Sequence, residues 1–236
     1  MQIKNPVARI ISHQIESYRA AWDKQNRTAL KCRLPKWVVL GDSMSQGIGA
    51  STYDQGWVGQ ASRLLQTEGK EYAIINLSQS GAKLEDVLSK QLPAMHALGV
   101  KPALVTVLAG SNDLLALKHR RNLPSNLEKL LEQLPEGTIV GNIFDRPGTP
   151  APLKPLFTSK RTSDLIAEIA KQRKLVVCPL GEAFRPPWRG KLAPDRFHPN
   201  DRGYAGIAGA FVRAILDALD EEGKVHQGSL SPAKNY

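Results

Sequence analysis

Residues 37–47 read Trp-Val-Val-Leu-Gly-Asp-Ser-Met-Ser-Gln-Gly. A short apolar run cut off by Gly-Asp-Ser describes a buried strand that ends in a turn and carries a hydroxyl, that of Ser43, to the edge of a sheet. The same letters also fit a plainer reading, in which Gly41 and Asp42 only punctuate a loop. Residues farther along the chain decide between the two.

Outward from this stretch, β-branched and apolar runs alternate with longer segments of helical period. The pattern predicts strands over 37–42, 72–77, 103–108, 138–143 and 174–178. Between them Trp57, Ala61 and Leu64/Leu65 mark one helix, and Leu84, Val87/Leu88, Leu92 and Met95 a second. Leu127, Leu130/Leu131 and Leu134 mark a third, and Ile166, Ile169 and Ala170 a fourth. The last helix follows Asn200-Asp201 and carries Ile207, Phe211, Ile215 and Leu219 on one stripe. Strands separated by helices pair in parallel and are covered on both faces. The expected fold class is α/β, a three-layer sandwich around five strands.

Ahead of the first strand, Asn5-Pro6 offers a cap and a first-turn proline, and Val7, Ile11, Ile15, Tyr18 and Trp22 form a helical stripe. An amphipathic helix is expected there, followed by a polar connector over 23–36. Residues 145–156 contain four prolines, which exclude regular helix and central strand. They are expected to form a long surface loop at the Ser43 edge, a wall for a pocket. From residue 221 hydrophobic periodicity fades. The organisation expected is a basic arm over 1–36, a single domain over 37–220 and a loose tail over 221–236.

Composition narrows the function classes. The chain has 236 residues, 42% hydrophobic and 23% charged, which fits one globular core and excludes a largely disordered chain. No apolar run approaches the roughly 20 residues of a membrane-spanning helix, and the first twelve residues hold too few apolar positions for a secretory signal. Cys32 and Cys178 lie far apart without metal-ligand spacing, as in a reduced, cytoplasmic protein. Net charge is +10, and residues 1–36 hold eight Lys and Arg against Glu16 and Asp23. The arm thus reads either as a solvated face or as a weak contact for an anionic membrane surface. No nucleic-acid partner is expected, because neither aromatic interleaving nor a recognised motif accompanies the charge.

The chemistry lies where the apolar runs stop, since open parallel sheets bind ligands beyond the carboxyl ends of their strands. The first run stops at Gly41-Asp42-Ser43, the second leads into Gln79-Ser80-Gly81, and the third ends in Gly110-Ser111-Asn112-Asp113. Late in the chain stands Asp195-Arg196-Phe197-His198-Pro199. A carboxylate three residues before an imidazole can fold back onto Nδ1–H and turn Nε2 outward, and Pro199 holds His198 extended. Together these supply a nucleophile, Ser43, a base, His198, and an orienting acid, Asp195. The N–H groups of Ser43 and Gly81 and the Asn112 amide are candidate oxyanion donors. Asp42 and Asp113 are expected to brace loops through backbone N–H groups. No phosphate-binding loop or dinucleotide fingerprint is present, and Ser45 breaks the Gly-x-Ser-x-Gly pattern of the α/β-hydrolase elbow.

In order and spacing, Gly41-Asp42-Ser43-Met44-Ser45, the Gly81 turn, Gly110-Ser111-Asn112-Asp113 and Asp195-x-x-His198-Pro199 resemble the motif blocks of the SGNH (GDSL-like) hydrolase superfamily. The resemblance covers about residues 37–219 and departs in Met44, where leucine is usual. It implies a flavodoxin-like α/β/α sandwich that acts on small-molecule or lipid acyl esters without metal or cofactor. Ser43, Asp195 and His198 would form the triad, and Ser43, Gly81 and Asn112 the oxyanion hole. Lys118, Arg120, Arg121, Arg185, Arg189, Lys191 and Arg196 would give the pocket a positive rim suited to anionic or phospholipid-like esters. Two rivals stand beside an esterase. One is an acyltransferase using the same residues, and the other a non-catalytic, membrane-peripheral module built on the basic helix.

Overall fold

The computed structural model describes residues 6–115, 117–143, 159–184 and 187–228. Five parallel strands form one sheet in the order β2-β1-β3-β4-β5, with β1 over Lys36–Gly41, β2 over Ala73–Asn76, β3 over Leu104–Leu108, β4 over Ile139–Gly141 and β5 over Val176–Cys178. Each lies within about two residues of its sequence expectation. In register, Val38 stands between Ile75 and Val105, so the central strand is paired along both sides.

Side chains alternate across the pleat, and β1 therefore feeds two cores. Trp37 and Val39 face one with Trp57, Leu65, Phe211 and Ile215, whereas Val38 and Leu40 face the other with Val87, Leu92, Leu127, Leu130 and Ile166. This explains why β1 reads as an unbroken apolar run. The first core is closed by α3 (Trp57–Thr67) and α10 (Asp201–Gly228), where the rings of Trp57 and Phe211 stack at 4.0 Å. The second is closed by α4 (Leu84–Asp86), α5 (Leu92–His96), α7 (Leu123–Gln133) and α8 (Ser159–Arg173). Short helices α2 (Ser43–Gln46), α6 (Leu117–Arg120) and α9 (Leu180–Ala183) complete the set. The expected three-layer α/β/α sandwich is what forms.

Two segments differ from expectation. Helix α1 runs over Pro6–Lys31, so most of the supposed connector over 23–36 is helical. Its later turns continue the stripe with Asn26 and the buried Ala29 instead of large apolar side chains. Asn26 faces the outer edge of β2, where its Nδ2–H donates to Asn76 O and its Oδ1 accepts from Asn76 N–H, both at 2.8 Å. One side chain thereby takes the place of a neighbouring strand. Helix α10 continues through residues 221–228 instead of ending in a loose tail. A helix already nucleated adds one hydrogen bond per residue and needs no apolar stripe to continue. The proline-rich segment over 145–156 lies outside the described residues, as does the chain after 228.

The second predicted helix is also not uniform. Between α4 and α5, Val87–Gln91 widens into a π-helical turn. Pro93, in the first turn of α5, cannot donate to a preceding carbonyl, and the wider turn accommodates that missing bond.

Candidate active site

Because β2 and β3 lie on opposite sides of β1, the chain changes direction at the carboxyl end of the sheet and leaves a crevice there. Ser43 begins α2 at the end of β1, and Asn112 follows β3 on the facing side. Asp42 caps α2, its Oδ1 accepting from Met44 N–H at 3.0 Å. The nucleophile candidate thus stands at the first residue of a capped turn.

The loop before α10 brings the other partners. Leu192 and Pro199 form an antiparallel bridge, and Ala193 N–H donates to His198 O, which folds residues 192–199 back on themselves. In that fold Asp195 Oδ2 lies 2.6 Å from His198 Nδ1, while Oδ1 accepts from the N–H groups of Phe197 and His198, each at 3.0 Å. His198 Nε2 stands 2.9 Å from Ser43 Oγ. Ser43 and His198 are 3% and 7% exposed, so their contact is shielded from bulk water. Burial alone would raise the Asp195 pKa, but its bonds to His198 and to the two backbone N–H groups outweigh that and hold it below the ordinary carboxylate value. An ionised Asp195 fixes the imidazole proton on Nδ1 and leaves the Nε2 lone pair for the Ser43 hydroxyl.

On the opposite wall, Gly81 occupies a left-handed turn, φ +78°, closed by a bond from Ala82 N–H to Gln79 O. That φ value favours glycine there. Asn112 Nδ2 donates to Ala82 O at 2.9 Å and makes only a long 3.5 Å contact with Asp42 Oδ2, so one of its two hydrogens is loosely engaged. Among the described residues no hydrogen bond uses the N–H of Ser43 or of Gly81. Asp113 braces the same wall by accepting from Leu84 N–H at 3.1 Å. Its own pKa is pushed up to about 6, chiefly by burial, which the Leu84 bond offsets only in part.

The rim is less cationic than expected. Arg120 is buried, with Nε donating to Leu114 O at 2.6 Å, and so serves the wall instead of the pocket mouth. Arg121, Arg189 and Arg196 are exposed and Lys191 is half-buried, while Arg185 and the Lys118 side chain lie outside the described residues. Cys32 and Cys178 are free, and the Cys178 thiol is buried in the first core, its pKa pushed up to about 12 by burial. No described helix is long and apolar enough to cross a membrane.

Sequence reading passed over the side chains that hold the segment around Ser43. Gln91, 2% exposed and in the π-helical turn, pairs with the backbone of Gly41 through Gly41 N–H to Oε1 and Nε2–H to Gly41 O, both at 2.8 Å. From the end of α2 onward, most backbone steps are tied by another side chain. Trp22 donates to Gln46 O, Tyr204 to Ile48 O, and Gln14 and Tyr18 to Ala50 O, while Gln14 also accepts from Gly49 N–H. Asp201 accepts from both N–H and Oγ–H of Ser51. The available signal was polar amides, Gln14, Asn26 and Gln91, standing on otherwise apolar helical stripes.

Comparison with known proteins finds relatives named as esterases. Over 96 residues, 41% of this chain, the sequence is 38% identical to esterase TesA of Pseudomonas aeruginosa. Over 198 residues, 78% of this chain, it is 27% identical to GDSL-like esterase Rv1075c of Mycobacterium tuberculosis. The aligned parts span only 46% and 63% of those proteins' own lengths. A crystal structure of TesA superposes with a TM-score of 0.63 at 25% identity, covering 78% of this chain and 99% of that one. Residues 39–205 match the family described as GDSL-like Lipase/Acylhydrolase, and the chain belongs to that family.

Proposed function

We propose that the protein is a serine esterase that works through an acyl-enzyme on Ser43. The observation that carries this reading is the continuous line of contacts from Asp195 to His198 to Ser43, at 2.6 and 2.9 Å. As Ser43 Oγ attacks the ester carbonyl carbon, its proton passes to His198 Nε2, and Asp195 stabilises the imidazolium that results. The N–H groups of Ser43 and Gly81 and the loosely engaged Asn112 hydrogen are the donors assigned to the oxyanion. Collapse breaks the bond to the alcohol oxygen, which takes the proton from Nε2. Water then repeats the sequence on the acyl-enzyme, releasing the acid and returning the proton to Ser43.

A sugar or lipid hydroxyl in place of that water would make the same site an acyltransferase. Hydrolysis is the reading adopted, because both curated relatives are named esterases. Product analysis with candidate acceptors separates the two. Weak contact of α1 with an anionic membrane surface belongs to the same proposal. Its outward face carries Arg9, Arg19, Lys24, Arg27 and Lys31, while its inward face is spent on the protein.

Intact-mass measurement after treatment with a fluorophosphonate tests the reading. One adduct on the wild-type protein and none on Ser43→Ala is expected, and no adduct on folded wild-type protein would sink it.

A further inference from the structure

Two of the donors assigned to the oxyanion belong to different segments of chain. Ser43 N–H opens α2 after β1, and Gly81 N–H stands in the turn after β2. Both must point at one oxygen, and a misplacement of about 1 Å can cost two orders of magnitude in rate. The register of β1 with β2 ends at Val39 opposite Asn76. Backbone bonds from Leu77 N–H to Val39 O and from Gln79 N–H to Gly41 O carry the pairing only as far as Gly41. Ser43 and Gly81 both lie beyond it.

The side chain of Asn76 spans that gap. Asn76 is the last residue of β2 and is 4% exposed. Its Nδ2–H donates to Ser45 O at 2.8 Å, two residues past Ser43. Its Oδ1 accepts from Ser78 N–H at 3.0 Å and from Ser78 Oγ–H at 2.5 Å, three residues before Gly81. Each end is joined to a donor by a closed turn, since Ser45 N–H bonds to Asp42 O around Ser43 and Ala82 N–H bonds to Gln79 O around Gly81. The Ala82 carbonyl in turn accepts from Asn112, so the third donor rests on the same loop. Behind the amide, Asn26 of α1 holds both backbone polar groups of Asn76. The other residues of β2, Ala73, Ile74 and Ile75, are buried and apolar. An amide at this strand end carries a desolvation cost that its hydrogen bonds must offset, and those of the side chain run to the two segments that bear the donors.

We propose that Asn76 is a positioning residue for the oxyanion donors, its amide setting the distance between Ser43 N–H and Gly81 N–H without touching the substrate. The nitrogen end fixes α2, the oxygen end fixes the loop leading to Gly81, and the two are held apart by the width of one amide group. The proposal rests on the esterase reading and adds a residue on which the same site depends.

Asn76→Asp and Asn76→Ala test it. The first keeps an oxygen for Ser78 and loses the hydrogen for Ser45 O, while the second loses both ties and places no charge in the interior. Competent sites are counted by fluorophosphonate labelling of Ser43 taken to completion, and hydrolysis of p-nitrophenyl butanoate is expressed per counted site, so misfolded protein cancels. The oxyanion forms only after the substrate has bound, so kcat should fall about tenfold or more in both variants while KM stays within about twofold. In Asn76→Ala the acid-side midpoint of the pH profile of kcat/KM should stay at its wild-type position, because the Asp195–His198 pair is untouched. Wild-type kcat per site in either variant, a raised KM with kcat unchanged, or a displaced midpoint in Asn76→Ala overturns the proposal and leaves the esterase standing. If Asn76→Ala yields no folded protein, Asn76→Asp, which keeps the interior volume, carries the same kcat and KM comparison. If the ester is not turned over, the rate constant of labelling per site takes the place of kcat, and an unchanged rate overturns the proposal. A folded wild-type protein that neither labels nor hydrolyses removes the esterase reading itself.

Discussion

Gln91 grips Gly41 by both of its backbone polar groups, although 50 residues separate the two. β2 ends at Asn76, opposite Val39, so β1 has no strand beside Gly41 on that side. The side-chain amide fills the gap, two residues before Ser43. Gln91→Leu leaves the Gly41 N–H without an acceptor, whereas Gly41 O keeps the N–H of Gln79 at 3.1 Å. A buried donor left unpaired costs about 1–3 kcal/mol. The expected loss is roughly 2–4 °C in Tm for each kcal/mol, with slower fluorophosphonate labelling of Ser43. A wild-type Tm in this variant would contradict the assignment.

Asp195→Asn should lower kcat by about 10³ to 10⁴, with KM little changed, because the amide no longer enforces the productive imidazole tautomer. The same substitution has a stability signature. Asp195 is held below its ordinary pKa, so its ionised form contributes stability that is present above about pH 4 and lost as the pH falls through the folded-state value. Urea denaturation should find wild type more stable than Asp195→Asn at pH 6 and the difference shrinking below pH ~4.

Asp113 has the opposite sign. Its pKa is raised to about 6 by burial, so the folded state holds a proton more tightly than the unfolded chain does. Stability associated with this group is present below the unfolded value, about 4, and is lost as the pH rises through about 6. Asp113→Asn resembles the protonated side chain and keeps an oxygen for Leu84 N–H. Its Tm relative to wild type should therefore become more positive between pH 4 and pH 7, by about 2–4 °C for ~1 kcal/mol. A pH-independent difference would count against a buried carboxylate at this position.

Gly49 is backed against the loop that carries His198. A Cβ there would stand 2.7 Å from His198 Cβ and 2.6 Å from Pro199 O, on a backbone with φ +95°. Gly49→Ala must therefore displace the loop that carries His198. Labelling of Ser43 should slow by roughly tenfold or more, since misplacement of about 1 Å can cost two orders of magnitude. An unchanged labelling rate would show that the loop yields without moving the imidazole.

The legible parts of this molecule are those fixed by short spans of chain. Strand positions follow from runs of a few apolar residues, and the Asp195–His198 contact is closed within three residues, so pattern and spacing sufficed for both. The illegible parts depend on partners far away. Gln14 meets Gly49 across 35 residues, and Asn26 meets Asn76 and Gln91 meets Gly41 across 50 each. An amide on an apolar stripe announces that it has a partner without naming it. Arg120 shows the converse, because a cation expected at the pocket mouth finds a backbone carbonyl and turns inward. Helix α1 outran its expected end because the edge of β2 rewards a polar residue, Asn26, where an apolar one was sought.

The portion of the chain shared with the family begins at residue 39, yet helix α1, wholly upstream of it, holds Gln46, Gly49, Ala50 and Asn76. A fragment starting at β1 would keep every residue of the Asp195–His198–Ser43 line and lose the clamp on the segment behind Ser43. It would also bare the outer edge of β2, where a second chain could pair. Helix α1 thus occupies a sheet edge that would otherwise be open to pairing, and the same helix ties down the backbone that follows the Ser43 turn.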